Sequence, residues 1–163
     1  MNGKQVKMAG LGLSLALAAV AVWGLAARPG RAAGPELTLY KSAGCVCCNG
    51  WKKHMEAAGF RVQTVATERV HIVKTDKGVP LQMQSCHTAI VEGHVVEGHV
   101  PAEAVRRMLR EPDGPYGLAA PGMPSGAPGM SGLPEPYRVI AFEPGGPGRV
   151  YASYTGTREH LSR

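Results

Sequence analysis

The residues after position 34 predict one small α/β sandwich, extended by a Pro/Gly-rich loop and a C-terminal β-hairpin. Three observations carry that prediction. Apolar residues recur with a period of two and then of about 3.6, twice over, before a hairpin signal and a last amphipathic stretch. Composition shifts abruptly at Pro112, with seven prolines and six glycines in the 25 residues to Pro136. The 163-residue chain is 44% hydrophobic, enough for one modest core once an apolar leader is set aside.

Glu36 to Lys41 alternates, with Leu37, Leu39 and Lys41 on one face, and predicts a first strand. Cys48, Trp51, Met55 and Ala58 then follow at steps of three, four and three, which places one stripe of a helix against the core, with Trp51 and Met55 inside and Gly59 as its stop. Phe60 to Ala66 reads as a second strand. Thr67 is the expected cap of a short helix over Glu68 to Lys77, with Val70 and Val73 inward and Gly78 at its end. Thr88 to Val91 and Val95 to Val96 flank Glu92-Gly93 as a hairpin. Pro101 opens a helix with Val105, Met108 and Leu109 as its stripe, Glu103 early and Arg110 late, as the helix dipole favours. Strand, helix, strand, helix, hairpin, helix is the order of a thioredoxin-like sandwich. These elements set residues 35–111 as the domain. Residues 112–136 read as a Pro/Gly/Met loop with no regular helix or central strand. Tyr137 to Phe142 and Arg149 to Tyr154 form a hairpin, and residues 137–163 pack as hairpin and tail on the same domain.

Residues 1–34 read as an export signal. Lys4 and Lys7 precede an uncharged run from Met8 to Ala27, and Arg28, Pro29 and Arg31 follow it. Small residues at Ala32 and Gly34 favour cleavage before Pro35, with a cut nearer Ala26 as the alternative. The run exceeds the usual core of a signal peptide, so an uncleaved anchor in the inner membrane, facing the periplasm, is the other reading. Without the four basic residues of this leader, 14 basic and 12 acidic side chains leave a net charge of +2 in place of +6. No basic run interleaved with aromatics remains, which argues against nucleic-acid binding. Export implies an oxidising compartment, the periplasm, where four cysteines need a reason.

Three of the four lie in GCVCCNGW, Gly44 to Trp51, where the first strand meets the first helix. The predicted order brings Cys86, just before the third strand, to the same place. Three chemistries compete for Cys45, Cys47, Cys48 and Cys86. Soft-metal binding ranks first: thiolates select Cu(I) and Zn(II), or hold a small iron–sulfur cluster. The C-x-C-C spacing departs from the paired C-x₂-C knuckles of zinc sites and suits several bridged Cu(I) ions. Thiol–disulfide exchange ranks second. Cys45 and Cys48 make a C-x-x-C at a helix N-terminus, with Cys47 or Cys86 to resolve. Against it, Cys47 intrudes on the pair, and Ser85-Cys86-His87 stands where redox enzymes of the thioredoxin fold carry a cis-proline. Two structural disulfides rank third, with Cys86 bonded to one of the local thiols as the comfortable scheme.

The stretches YKSAGCVCCNGW from Tyr40, GVP at Gly78, SCHTA from Ser85, EGHVP from Glu97 and GLAAPGMPSGAPGM from Gly117 together resemble the CopG-type exported copper-resistance proteins, long catalogued as a domain of unknown function. From Leu133 onward the match is loose. The resemblance implies a thioredoxin-like fold, copper as the metal, and a site made of Cys45, Cys47, Cys48 and Cys86. A periplasmic copper carrier or redox partner follows as the expected partner, and a membrane only if the leader stays.

The other candidate ligands rank lower. His87 neighbours Cys86, but adjacent strand residues face opposite ways. Glu92-Gly-His94 and Glu97-Gly-His99 look repeated, yet turns and strand ends account for their glycines. His94 reads as exposed, and His99 as a residue that caps or orients local backbone. Met123 and Met130, in the two PGM copies, could deliver or cover Cu(I), though gap-filling is the plainer role. His54, His71 and His160 read as surface residues. No phosphate loop, nucleophile elbow or carboxylate pair appears, so any enzymology would be redox chemistry at sulfur or copper.

Overall fold

The computed structural model describes residues 34–160, so the leader and its alternatives lie outside the described residues. Eight strands form one mixed sheet in the order β2-β1-β3-β4-β5-β6-β7-β8: β1 Glu36–Lys41, β2 Arg61–Ala66, β3 Thr88–Val91, β4 His94–Gly98, β5 Gly117–Ala120, β6 Pro136–Phe142, β7 Arg149–Thr155 and β8 Arg158–His160. Among the described residues three α-helices accompany it, α1 Val46–Ala57, α2 Val70–Asp76 and α3 Ala102–Arg110. Among the described residues no helix is long and apolar enough to cross a membrane.

β1 pairs parallel to β2 and antiparallel to β3, with Leu39 opposite Ala89. The β3–β4 hairpin turns on Glu92 (φ 48°) and Gly93 (φ 85°), both left-handed as a two-residue turn of primed type requires. α3 then carries the chain from β4 to its parallel neighbour β5, and β6, β7 and β8 follow antiparallel.

Side-chain alternation sends the sheet's two faces to two cores. Leu37, Leu39, Val91, Val96 and Leu118 meet Trp51 and Met55 of α1 and Val105 and Met108 of α3 on one face. Val95, Ala119 and Phe142 meet Val79 and Met83 on the other. Each large side chain so buried contributes about 1.5–3 kcal/mol, which is why Trp51, Met55 and Met108, all at 0% exposure, fix where α1 and α3 sit.

Two expectations need correction. Residues 112–136 do contain a central strand: β5, GLAA, is buried throughout and paired on both sides. It lacks the β-branched residues that announce a strand, and Gly117 is required because a Cβ there would lie 2.5 Å from the Phe142 ring. The second helix starts later than its expected cap. Thr67 Oγ1 accepts from the Arg69 N–H at 3.1 Å, and the helix begins at Val70, burying Val70 and Lys74 while Val73 is only half-buried.

Candidate metal centre

Cys45 ends the loop after β1 and is the N-cap of α1, where its Sγ accepts from the Cys48 N–H at 3.3 Å. Cys47 and Cys48 occupy the first turn. Their sulfurs therefore project from a helix N-terminus. Cys86 arrives from the segment before β3. Its Sγ lies 3.6 Å from that of Cys48 and 3.8 Å from that of Cys47, while the Cys45 and Cys47 sulfurs are 3.5 Å apart. All four sulfurs fall within 4.8 Å of one another. The structure thus brings together the four cysteines that the sequence singled out. It closes a disulfide between Cys45 and Cys48 and leaves Cys47 and Cys86 free. That pairing differs from the scheme expected of structural crosslinks, in which Cys86 bonds a local thiol. A bond over one helical turn is comfortable because the two Cα atoms stand 5.4 Å apart.

Two histidines join the thiols. His99 Nε2 lies 3.0 Å from Cys86 Sγ, and its Nδ1–H donates to the Pro128 carbonyl at 2.7 Å. That bond sets the tautomer and turns the bare Nε2 toward the sulfur. His99 bonds a backbone carbonyl, but a distant one in place of the local backbone expected, and its ring also belongs to the cluster. His87 Nδ1 lies 3.2 Å from the same sulfur. Strand alternation does not separate His87 from Cys86, because β3 begins only at Thr88. Its ring is buried against Trp51, with centroids 4.5 Å apart, and its Nε2 has no hydrogen-bond partner among the described residues. Cys86, His87 and His99 form a second group of donors within 4.8 Å of one another.

Burial governs the protonation of these groups. It pushes the Cys86 thiol up to about 12, with the neighbouring Cys47 adding to the rise. Burial also holds His99 below its ordinary value and His87 well below it, the latter aided by the charges of His99 and Lys74. Both imidazoles are therefore neutral donors near pH 7, and a metal at Cys86 must displace a proton. Thiolates and neutral imidazoles together fit a soft or borderline cation.

The two PGM copies flank this cluster. In the first, Gly122 accepts from the Ser85 hydroxyl and its N–H donates to the Gln84 carbonyl at 3.4 Å. In the second, Pro128 holds His99, and Gly129 (φ 85°) packs so closely on α1 that a Cβ would meet the Cys47 carbonyl and Trp51 nitrogen. Met123 is 54% exposed and Met130 half-buried.

The remaining histidines lie elsewhere. His71 and His160 are exposed, as expected. His94 is half-buried, with Nδ1 at 2.9 Å from the Pro115 carbonyl. His54 is half-buried too: its Nε2 accepts from the Ala102 N–H at 3.0 Å and so caps α3. Neither is the free surface residue the sequence suggested: His94 opens β4 against the Pro115 carbonyl, and His54, late in α1, reaches the N-terminal end of α3.

Residues 83–130 match a family model described as "Protein of unknown function, DUF411". That stretch holds Cys86, His87, His99 and both PGM copies, but not Cys45 to Cys48. No curated protein matches the chain. Two solved structures of copper resistance protein CopG are similar to it. Form 2 gives a TM-score of 0.70 at 38% identity, and Form 1 gives 0.69 at 39%, each covering 74% of this chain and 98% of the other. Identity of that order across nearly the whole of the solved chains, with the cysteine cluster assembled, shows that this chain belongs to the CopG copper-resistance family.

Proposed function

We propose that this chain is an exported Cu(I)-binding protein that works in the periplasm, where it counters copper by sequestration, transfer or redox cycling of the ion. The observation that carries the reading is the convergence of four sulfurs within 4.8 Å at a helix N-terminus. Cu(I) accepts two or three soft ligands, and closely spaced thiolates can bridge several such ions. The ligands are Cys45, Cys47, Cys48 and Cys86. With Cys45 and Cys48 joined, two electrons from a dithiol reductant open the bond and return both sulfurs as thiols, so a redox partner belongs to the cycle. The thioredoxin-like frame is supported by the order β2-β1-β3-β4 with α1 rising from β1. The copper carrier or redox partner meets the site where Val46, 80% exposed, stands among the thiols.

Anaerobic purification of the reduced chain after removal of residues 1–34, with copper and thiol counted together, tests the reading. More than one Cu(I) per chain, reduced in Cys86→Ser, is expected. No copper at any loading would overturn it. The Cys45–Cys48 bond favours one other reading, a thiol–disulfide oxidoreductase. Rapid exchange with a dithiol in a chain that takes no copper would establish that alternative. Cell fractionation tests the export proposal, a cleaved chain appearing in the periplasmic fluid and an anchored one staying with the membrane after a salt wash.

A further inference from the structure

Behind Cys86, on the sheet face away from α1, lies a buried ion pair that the copper chemistry does not itself use. Glu97 on β4 is fully buried and Lys74 on α2 nearly so, with Lys74 Nζ 2.5 Å from Glu97 Oε1. Taking both charges from water costs more than their attraction commonly returns, so such a pair is weak support for stability and calls for another role.

Its other bonds indicate that role. Glu97 Oε1 also accepts the Ser85 N–H at 2.6 Å, and Oε2 accepts the Thr88 hydroxyl at 2.7 Å. Lys74 Nζ completes the ring by donating to Thr88 Oγ1 at 3.1 Å. One carboxylate therefore grips the chain at Ser85 and at Thr88. Only Cys86 and His87 lie between those two points.

The next two residues act on the same dipeptide. The Gly98 N–H donates to the His87 carbonyl at 3.0 Å, and Gly98 has φ 69°. A Cβ at Gly98 would lie 2.5 Å from Ser85 Cβ, so only glycine lets the two segments approach this closely. His99 then reaches Cys86 Sγ. The second EGH copy is thus one device in three parts: a carboxylate that grips, a glycine that admits and an imidazole that meets the thiol. The first copy, Glu92-Gly93-His94, forms a turn instead.

We infer that Glu97, held by Lys74, is a positioning residue that fixes Cys86 and His87 at the thiol cluster through the Ser85 N–H and the Thr88 hydroxyl. Its bearing on copper rests on the proposed function above; its bearing on the place of Cys86 does not.

The test compares two double variants of the reduced, metal-free chain. E97Q/K74M removes both charges and keeps an amide that accepts from Ser85 and donates to Thr88. E97L/K74M removes the charges and the grip, in a volume that apolar side chains fill without loss of the fold. Two quantities are read: the rate at which N-ethylmaleimide alkylates Cys86, by peptide mass spectrometry, and Cu(I) affinity, by competition with a chromogenic chelator. E97Q/K74M stays near wild type in both. E97L/K74M alkylates faster at Cys86 and binds Cu(I) more weakly, each by about tenfold or more, the usual effect of losing a group that orients a metal ligand.

Equal alkylation rates in a folded E97L/K74M overturn the positioning role. If that variant does not fold, Thr88→Val decides: it keeps the shape and loses one grip point, so alkylation rises about threefold, and a wild-type rate overturns the inference. Altered alkylation with unchanged Cu(I) affinity overturns only the link to copper. A wild-type chain that binds no Cu(I) overturns the proposed function, while the alkylation contrast still judges Glu97.

Discussion

His99 Nε2 and Cys86 Sγ stand 3.0 Å apart, with the far side of the same imidazole hydrogen-bonded to the Pro128 carbonyl. One ring therefore couples the thiol cluster to a loop about thirty residues further along the chain. Asparagine places its amide near the position of Nδ1 and has nothing at Nε2. His99→Asn is expected to keep the bond to Pro128 and the fold, and to weaken Cu(I) binding by about tenfold. Chelator competition measures the affinity, and an unchanged value would remove His99 from the site.

Trp51 offers an internal reporter. Its ring packs against His87 and its Nε1–H donates to the Val100 carbonyl at 2.8 Å. Copper held beside His87 is expected to quench Trp51 emission, seen as the difference between wild type and Trp51→Phe because the chain has two tryptophans. Trp51→Phe should also lose about 1–3 kcal/mol in urea unfolding, since it leaves a buried carbonyl without its donor.

Gly129 tests the contact of the second PGM copy with α1. Its left-handed φ and the lack of room for a Cβ mean that Gly129→Ala must displace either the loop or the first turns of α1. A loss of about 1–3 kcal/mol in denaturant unfolding is expected, together with weaker Cu(I) binding. Full stability in the variant would show that the loop yields freely.

His54 gives stability a pH dependence. Burial lowers its pKa below 6.5, and its neutral Nε2 accepts the Ala102 N–H. A histidine depressed in the folded state takes up its proton more readily when unfolded. Its contribution is therefore complete above pH 6.5 and is lost as pH falls below 6.5 toward the folded value. His54→Gln retains an acceptor that does not titrate. Melting temperatures between about pH 8 and about pH 5 should fall more steeply in wild type than in the variant; parallel slopes would contradict this.

Period and spacing made much of the α/β fold legible. Leu37 and Leu39, Trp51 and Met55, the Glu92-Gly93 turn and the helix after Pro101 all follow from local pattern, because each buries one stripe or one face. β5 was not legible. Gly117-Leu-Ala-Ala has neither alternation nor strand propensity and is held by neighbours on both sides, a tertiary effect. The cysteines were legible as a group because three fall within four positions and the fourth precedes a predicted strand. The histidines were not. Strand alternation misleads at His87, because the strand has not yet begun there, and His99 depends on a positive φ at Gly98 and a carbonyl from Pro128. Lys74 and Glu97 gave no signal beyond position: Lys74 is the residue four after Val70, on the same face of α2.

The bond from His99 to Pro128 also has a bearing on the order of events during folding. Three thiols are neighbours from the moment they are synthesised, but Cys86 Sγ must cross 38 positions to meet Cys48, and the carbonyl that steadies His99 lies 29 positions beyond it. Loop closures of this length precede the contacts that reward them. The nascent C-x-C-C alone is thus an open trap for any thiophilic ion or oxidant, and His99 gains its backbone partner only from Pro128, beyond β5. Under the proposed function, Cu(I) held more tightly by the complete donor set than by the nascent run stabilises the folded chain by mass action, a latch on the last step of assembly.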